Sequence, residues 1–416
     1  MTDRPLAAIV LAAGQGKRMR LPGPKVLAPS CGRALVEHVL EALRPLRPRE
    51  TVIVHGHGGD AVREALRSGD YRFAHQAEQK GTGHAVQCAL PALDEGAGDI
   101  LVLCGDTPLL TTEVLQALLD NHRSSGRALT VLSAALASPG SLGRVLRGPG
   151  GTLERIIEAR DATRDQLAIR EINTGVIVAD RGLLAEALTR VRPDNKQGEY
   201  YLTDVPALLL ADGAGVDAYR TDDEGSALGV NTPVELAEAT RLLRRRLREH
   251  HLRGGVRMED AETTVVDAGA EIGEGTRLAP HTFLARDVRV GAACEIGPFC
   301  HLGPGAVLGA QVTLGARVEV RRSTVDPRVT VEGPARVVGA SIGREAHLGP
   351  GVVCEGTGRI VVGERARIGA GSILRGPVTV AEGARVAAGT ILGPSEGRPP
   401  REPASTQERG ASHHDA

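Results

Sequence analysis

From Val266 onward an aliphatic residue returns at every sixth position: Val266, Ile272, Leu278, Leu284, Val290, Ile296, Leu302, Leu308, Leu314 and Val320. A period of six fits neither the 3.6-residue turn of a helix nor the two-residue alternation of a strand. It is the period of a parallel β-helix built from hexapeptides, with each aliphatic side chain pointing inward and stacking on its copies above and below. Glycine follows the aliphatic residue at 273, 291, 297, 303, 309 and 315, where it is expected to supply the backbone freedom a corner needs. A second register runs through Val362, Ile368, Leu374, Val380, Val386 and Leu392, and between the two the period is less regular. Composition agrees with this reading. Aromatic residues are 2% of the 416-residue chain, Trp is absent and glycine numbers 53. A thin prism lined by Val, Ile and Leu has little room for rings.

The first 230 or so residues follow a different rule. Ala7–Leu11, Val52–Val54 and Ile100–Leu103 read as short buried strands, and they alternate with helical stretches at 34–44, 59–68, 82–92 and from Thr112. This alternation predicts a Rossmann-like α/β domain with a mostly parallel sheet covered on both faces. Such sheets bind ligands at the carboxyl ends of their strands. The expected organisation is an α/β domain over 1–232, a linker helix over 233–255, the β-helix over 256–393 and a disordered tail over 394–416. The tail is rich in Pro, Ser and charge, and its His413-His414 pair is too isolated to be a metal site.

The net charge of −1 gives no basic field for nucleic acid. The arginines clustered at 244–248 accordingly read as the wet face of the linker helix. No apolar run is long enough for a membrane helix, and Met1-Thr2-Asp3-Arg4 lacks the features of a secretion signal, so a cytoplasmic protein is expected. The six cysteines form no CxxC pair, which argues against a zinc site or a disulfide framework.

Several polar motifs sit beside glycines where the predicted strands end. Leu11-Ala12-Ala13-Gly14-Gln15-Gly16-Lys17-Arg18 follows a buried strand, and Pro24-Lys25 comes soon after. A glycine-rich turn lets backbone N–H groups approach phosphate oxygens, and the cations beyond it can hold a triphosphate. It matches neither GxxxxGK[ST] nor GxGxxG, and taken alone it could equally be a tight turn with cations facing solvent. Gln76-Ala77-Glu78-Gln79-Lys80-Gly81-Thr82-Gly83-His84 joins amides suited to a base edge to a turn that opens a helix. Gly105-Asp106-Thr107-Pro108 sets a carboxylate at a strand end, where it could hold magnesium or simply cap the next helix. Gly143, Glu158, Glu171-Ile172-Asn173-Thr174-Gly175, Gly198-Glu199-Tyr200-Tyr201 and Gly229-Val230-Asn231 continue the series.

In this order and spacing, the motifs resemble the bacterial bifunctional N-acetylglucosamine-1-phosphate uridylyltransferase / glucosamine-1-phosphate acetyltransferase family. The resemblance covers nearly the whole chain, densely over 6–235. It implies a Mg²⁺-dependent reaction of UTP with N-acetylglucosamine 1-phosphate. The products would be pyrophosphate and UDP-N-acetylglucosamine, a precursor of cell wall and lipopolysaccharide. Carried over by position, it implies that Leu11, Ala12, Ala13 and Gly14 cradle the nucleotide and that Arg18 and Lys25 bind its triphosphate. Gln76, Gln79 and Gly81 would read uracil, with Thr82 beside the sugar nucleotide. Gly143, Glu158 and Asn173 would contact the sugar, and Asp106 and Asn231 would hold the metal. The family usually has aromatics where Cys104 and Leu142 stand, which leaves a different sugar 1-phosphate as an alternative. Cys104 itself reads either as a reactive thiol or as an apolar filler.

The resemblance thins in the second half. The stretch Val331–Ala340, which matches the family's acetyl-transfer segment, has neither His nor Tyr. Gly303 stands where the family has a phosphate-binding Arg, the family's Lys position falls in Val320-Arg321-Arg322, and only Cys354–Arg359 remains of an Asn-rich loop. These losses imply that the β-helix is mainly a trimerisation scaffold. The alternative, a fully bifunctional enzyme that also acetylates glucosamine 1-phosphate, would need another base from among His281, His301 and His347.

Overall fold

The computed structural model describes residues 4–94 and 96–394. The predicted tail from Ser395 onward, with His413-His414, and the first three residues lie outside the described residues. The chain divides into two compact units. The first takes in the chain up to His250 together with 266–269, and the second takes in 251–265 and the chain from Ala270.

The first unit is built on a sheet whose main strands are β1 (Leu6–Ala12), β2 (Glu50–His55), β3 (Arg72–His75), β4 (Asp99–Cys104), β5 (Leu129–Ala135), β6 (Glu171–Asp180) and β7 (Val216–Thr221). Their spatial order is β7-β5-β6-β4-β1-β2-β3. β1 pairs in parallel with β2 and β4, β2 with β3, and β5 with β7. Of these seven strands only β6 runs antiparallel to its neighbours, lying between β4 and β5. Every residue of β2 is buried and β1 is nearly so, as a sheet covered on both faces requires. Alternate residues of β1 enter opposite cores: Ala7 and Ile9 belong to one apolar cluster, Ala8 and Val10 to the other.

The helices fall where the sequence places them. They include α1 (Leu35–Leu43), α2 (Gly59–Ala65), α3 (Thr82–Ala89) and α4 (Thr112–Ser125). Thr111, not Asp106, caps α4, accepting from Val114 N at 3.4 Å. A further helix, α5, spans Pro233–Arg253. Its arginines are not merely a wet face. Arg246 grips the Asp223 carboxylate at 2.8 and 3.0 Å, and Arg248 is buried. Ala239 and Leu243 pack with Met19, Leu35, Leu109 and Val230, so one side of this helix belongs to the core.

The second unit consists of three parallel sheets of eight, eight and seven short strands. Successive strands move from one sheet to the next, which is the triangular coil the hexad predicts and is consistent with a left-handed parallel β-helix. The inward aliphatics stack in register: Leu278 over Ile296 over Leu314, and Leu284 over Leu302 over Val320. The irregular stretch has a simple cause. Val290 pairs with Leu308 eighteen positions on, but Leu308 pairs with Val325 and Val325 with Ile342, seventeen on each time. Ile342 then pairs with Val362, twenty on, and the extra residues fall in the loop after Cys354. Two coils are one residue short at a corner and one is two residues long, while the stacking persists throughout.

The glycines have a different role from the one expected. Gly273, Gly291, Gly297, Gly309 and Gly315 are absent from the positive-φ positions. They are required because the next coil passes too close. A Cβ would lie 2.5 Å from Ala292 N at Gly273, 2.5 Å from Ala310 N at Gly291 and 2.5 Å from Gly333 N at Gly315. The left-handed corner comes two residues later and is held by Ala293 (φ 54), Phe299 (φ 60), Gln311 (φ 59) and Arg317 (φ 59). Side chains are disfavoured there, and the repeated stack imposes the conformation on them.

Candidate active site

The carboxyl ends of β1, β3 and β4 open onto one edge of the sheet. Because β6 is antiparallel, it brings its first residues to that same edge. Its register shifts between Asn173 and Ile177, and Gly175 in this bulge takes φ 82, which glycine adopts without strain. The bulge turns Asn173 and Thr174 into a cavity. Asn173 N donates to Gly143 O at 2.9 Å, which ties these two sugar-site candidates together.

Two cavities adjoin here. One, of about 240 Å³, is lined by Leu11, Ala13, Gly14, Lys25, Gln76, Gln79, Gly81, Thr82 and Asp106 among others. The other, of about 480 Å³, is lined by Arg18, Gly143, Glu158, Asn173 and Asn231 with a largely apolar wall that includes Leu142, Ile156 and Ile177. Leu11, Thr82, Cys104 and Glu199 line both. Of the fifteen candidates taken from the sequence, only Ala12 lines neither. Its side chain is buried in the core on the other face of β1, so only its backbone is available to a ligand.

Where the cavities meet, Lys25 bridges two oxygens. Its Nζ donates to the Asp106 carboxylate and, at 2.9 Å, to Asn231 Oδ1. Val230 N donates to Asp106 O at 2.9 Å, which holds the loop carrying Asn231 against the end of β4. Two oxygen donors thus converge on one cation. A single carboxylate with a neutral oxygen is the donor set of a hard ion that takes its other ligands from phosphates and water. No group of three His, Cys, Asp or Glu side chains able to hold a metal occurs among the described residues.

The amide candidates have fixed poses. Gln76 is buried and its Nε2 donates to Gly81 O at 3.0 Å and faces His84 Nδ1 at 3.1 Å, which leaves the amide oxygen as the atom able to address a base. Gln79 accepts from Gln15 Nε2 at 2.8 Å, a contact that ties the glycine-rich turn to the amide segment. Gly81 takes φ 103, and a Cβ there would lie 2.6 Å from Tyr200 O. Segments 80–83 and 199–202 are zipped together by Gly83 N to Tyr200 O at 2.8 Å, Tyr200 N to Lys80 O at 2.7 Å and Leu202 N to Thr82 Oγ1 at 3.2 Å.

Two groups have shifted titration. Burial pushes the Glu158 carboxyl up, against a hydrogen bond from Thr203 Oγ1 at 3.0 Å, and Asp161, Asp204 and Glu199 add to the rise. Burial pushes the Cys104 thiol up to about 12, with Asp106 adding to the shift and Lys25 opposing it. A thiol held protonated by burial and facing Gly175 O at 3.8 Å fits the filler reading of Cys104 better than the reactive-thiol one. Sequence reasoning missed Thr203 and Glu199 as cavity residues. The Gly-Glu-Tyr-Tyr motif pointed to the segment, but only the zipped loop shows which side chains face inward.

Residues 8–201 match the MobA-like NTP transferase domain model. The "Bifunctional protein GlmU" of Shouchella clausii is 39% identical over 368 residues, which cover 88% of this chain and 78% of that relative. The chain belongs to the GlmU family. GlmU of Exiguobacterium sibiricum is 43% identical over 287 residues and GlmU of Streptomyces griseus 46% over 297. These two matches cover 69% of this chain but 64% and 62% of the relatives, so the chain spans less than two thirds of their length. A structure of UDP-glucose pyrophosphorylase with UDP-glucose aligns at TM-score 0.48 and 17% identity, covering 58% of this chain and 99% of that one. Membership of the GlmU family accounts for both units, the nucleotidyltransferase domain and the hexapeptide prism. No helix among the described residues is long and apolar enough to cross a membrane.

Proposed function

We propose that this GlmU-family chain is a uridylyltransferase that makes UDP-N-acetylglucosamine and pyrophosphate from UTP and N-acetylglucosamine 1-phosphate. The carrying observation is the pair of adjoining cavities. One collects the candidates for the base and the phosphate turn, the other collects the sugar candidates together with Arg18, and the Lys25–Asp106–Asn231 cluster stands between them. The sugar phosphate attacks the α-phosphorus of UTP, and pyrophosphate leaves. Both reactants are anions, so the chief task is to cancel repulsion and hold the groups in line. Arg18 and Lys25 supply positive charge, the backbone of 11–14 holds phosphate oxygens, and Gln76, Gln79 and Gly81 orient the base with Thr82 beside it. Gly143, Glu158 and Asn173 orient the sugar. Asp106 and Asn231 would hold Mg²⁺, which when bound neutralises phosphate charge and polarises the phosphoryl group. With those two oxygens so occupied, Lys25 would no longer donate to them, and its ammonium would be free for phosphate. No protein nucleophile or general base is required, because the attacking phosphate is already ionised.

We assign the prism a scaffolding role, with association in threes through its flat faces. The three histidines that could replace the family's base are already engaged: His281 stacks on Phe299, His301 meets Phe283 edge-on and His347 pairs with Glu332 at 2.9 Å. All six cysteines are free, which suits a reducing cytoplasm. The test is pyrophosphate release from UTP, Mg²⁺ and N-acetylglucosamine 1-phosphate, run beside glucosamine 1-phosphate with acetyl-CoA. Pyrophosphate in the first mixture and no free thiol in the second is the expected result. Pyrophosphate with another sugar phosphate only would overturn the substrate, and thiol release would overturn the scaffold reading.

A further inference from the structure

A third cavity, of about 460 Å³, lies outside the site described above. It is lined by His55, His75, Arg63, Asp60 and Phe73, with glycine backbone closing the rest. His55 ends β2 and His75 ends β3, and the two are register partners, so their rings stack at 5.2 Å and 24°. His55 is only 7% exposed, and its Nδ1 is buried without a hydrogen-bond partner. A Cβ on Gly59 would lie 2.0 Å from that nitrogen, so the ring itself requires the glycine. Phe73 meets the His55 ring edge-on at 6.1 Å, and the Arg63 guanidinium lies 5.7 Å above Phe73.

The charge of this lining is unusual. Three groups can be positive and only Asp60 can be negative, so with both imidazoles protonated and Asp60 ionised the lining carries two net positive charges. Burial, then the fields of His75 and Arg63, hold the His55 imidazole below its ordinary range, while Asp60 pulls the other way. Two stacked imidazolium rings beside a guanidinium repel one another unless an anion sits among them. We propose that this cavity binds a multiply charged phosphoryl anion, inorganic phosphate or pyrophosphate, between the His55–His75 pair and Arg63. The wall toward the nucleotide cavity is one residue thick. A Cβ on Gly56 would lie 2.5 Å from Gln79 Nε2 and 2.9 Å from Ala13 O, and Gln76 N donates to His55 O at 2.8 Å. An occupant here therefore presses on the residues proposed to read the base.

Long-range ¹H–¹⁵N spectra of the full chain read the His55 and His75 imidazoles directly, with His75→Gln for assignment. Phosphate, pyrophosphate and chloride are added in metal-free buffer at matched ionic strength. The expected result is a saturable shift of both rings with phosphate or pyrophosphate and not with chloride, and a rise in the pH at which His55 titrates. The tighter of the two anions identifies the source. Arg63→Met, at an exposed position, should weaken binding at least about tenfold, the loss expected for one charge-assisted hydrogen bond. No saturable shift, an equal shift with chloride, or an unchanged affinity in Arg63→Met overturns the site. A second readout rests on the uridylyltransferase reading: phosphate should change the KM for UTP more in the wild type than in Arg63→Met. Equal changes overturn the coupling through Gly56, and absence of turnover in both overturns the uridylyltransferase reading while leaving the imidazole result intact.

Discussion

The α/β unit and the prism solve opposite problems with the same few residue types. In the prism every coil meets nearly the same environment, so one rule repeats: an aliphatic residue inside, a glycine where the next coil passes, and a left-handed corner two residues on. In the α/β unit no two strand ends are alike. The edge of the sheet collects a glycine-rich turn, a carboxylate, two amides and a bulge, each used once. Repetition tolerates local error, since coils one residue short or two residues long still stack. A site used once does not, because each group sits in a hydrogen-bonded position that no neighbour duplicates.

That contrast predicts where damage should fall. The largest effect should come from Asp106→Ala, which removes the carboxylate where the cavities meet. Pyrophosphate release should drop by about 10³-fold or more, as for loss of a main electrostatic stabiliser, with the circular dichroism unchanged. Retained turnover would break the assignment of that cluster. Next, Gly315→Ala should force a Cβ against the backbone of the next coil and destabilise the prism by about 1–3 kcal/mol. Calorimetry should show this as a lowered prism transition, with kcat of the nucleotidyl reaction kept. Loss of both would mean that the units do not behave separately.

A smaller, pH-dependent effect is expected at Glu158. Its raised pKa means that it binds a proton at milder acidity than an exposed glutamate, so the KM for the sugar phosphate should rise on acidification sooner than an ordinary carboxylate would allow. Glu158→Gln should flatten that limb. The stability linkage has the opposite sign. The contribution is present below the unfolded pKa and is lost as pH rises through the folded one, so Glu158→Gln should gain stability relative to wild type as pH rises. The smallest effect is at a corner: Ala293→Gly should relieve the left-handed strain at φ 54 by about 1 kcal/mol against the entropy glycine adds, for a net gain of a few tenths at most. A clear loss of thermal stability there would show that the coil does not hold Ala293 under strain.

Much of the fold was legible because periodic patterns report the local environment. The hexad gave the prism, and alternating short apolar strands gave the doubly covered sheet, since both burial patterns recur along the chain. The order of the sheet was not legible, and neither was the antiparallel β6 that carries Asn173 to the edge, because strand partners lie far apart in sequence. The role of the prism glycines was misread for the same reason: Gly291 has an ordinary φ, and only the coil containing Ala310 shows why a side chain cannot fit.

The sequence by itself determined which groups this protein has to work with: a glycine-rich turn, Lys25, Asp106, the paired amides and a hexad long enough for a prism. Their types and spacing follow from local chemistry that any short segment carries. Only the tertiary structure decided that Lys25 bridges Asp106 and Asn231, that Ala12 turns its side chain away, that Cys104 is buried beside Gly175 and that His55 stacks on His75. Each of these depends on segments that meet only when the sheet is assembled, and burial and neighbouring charge, which set the chemistry of a side chain, exist only then.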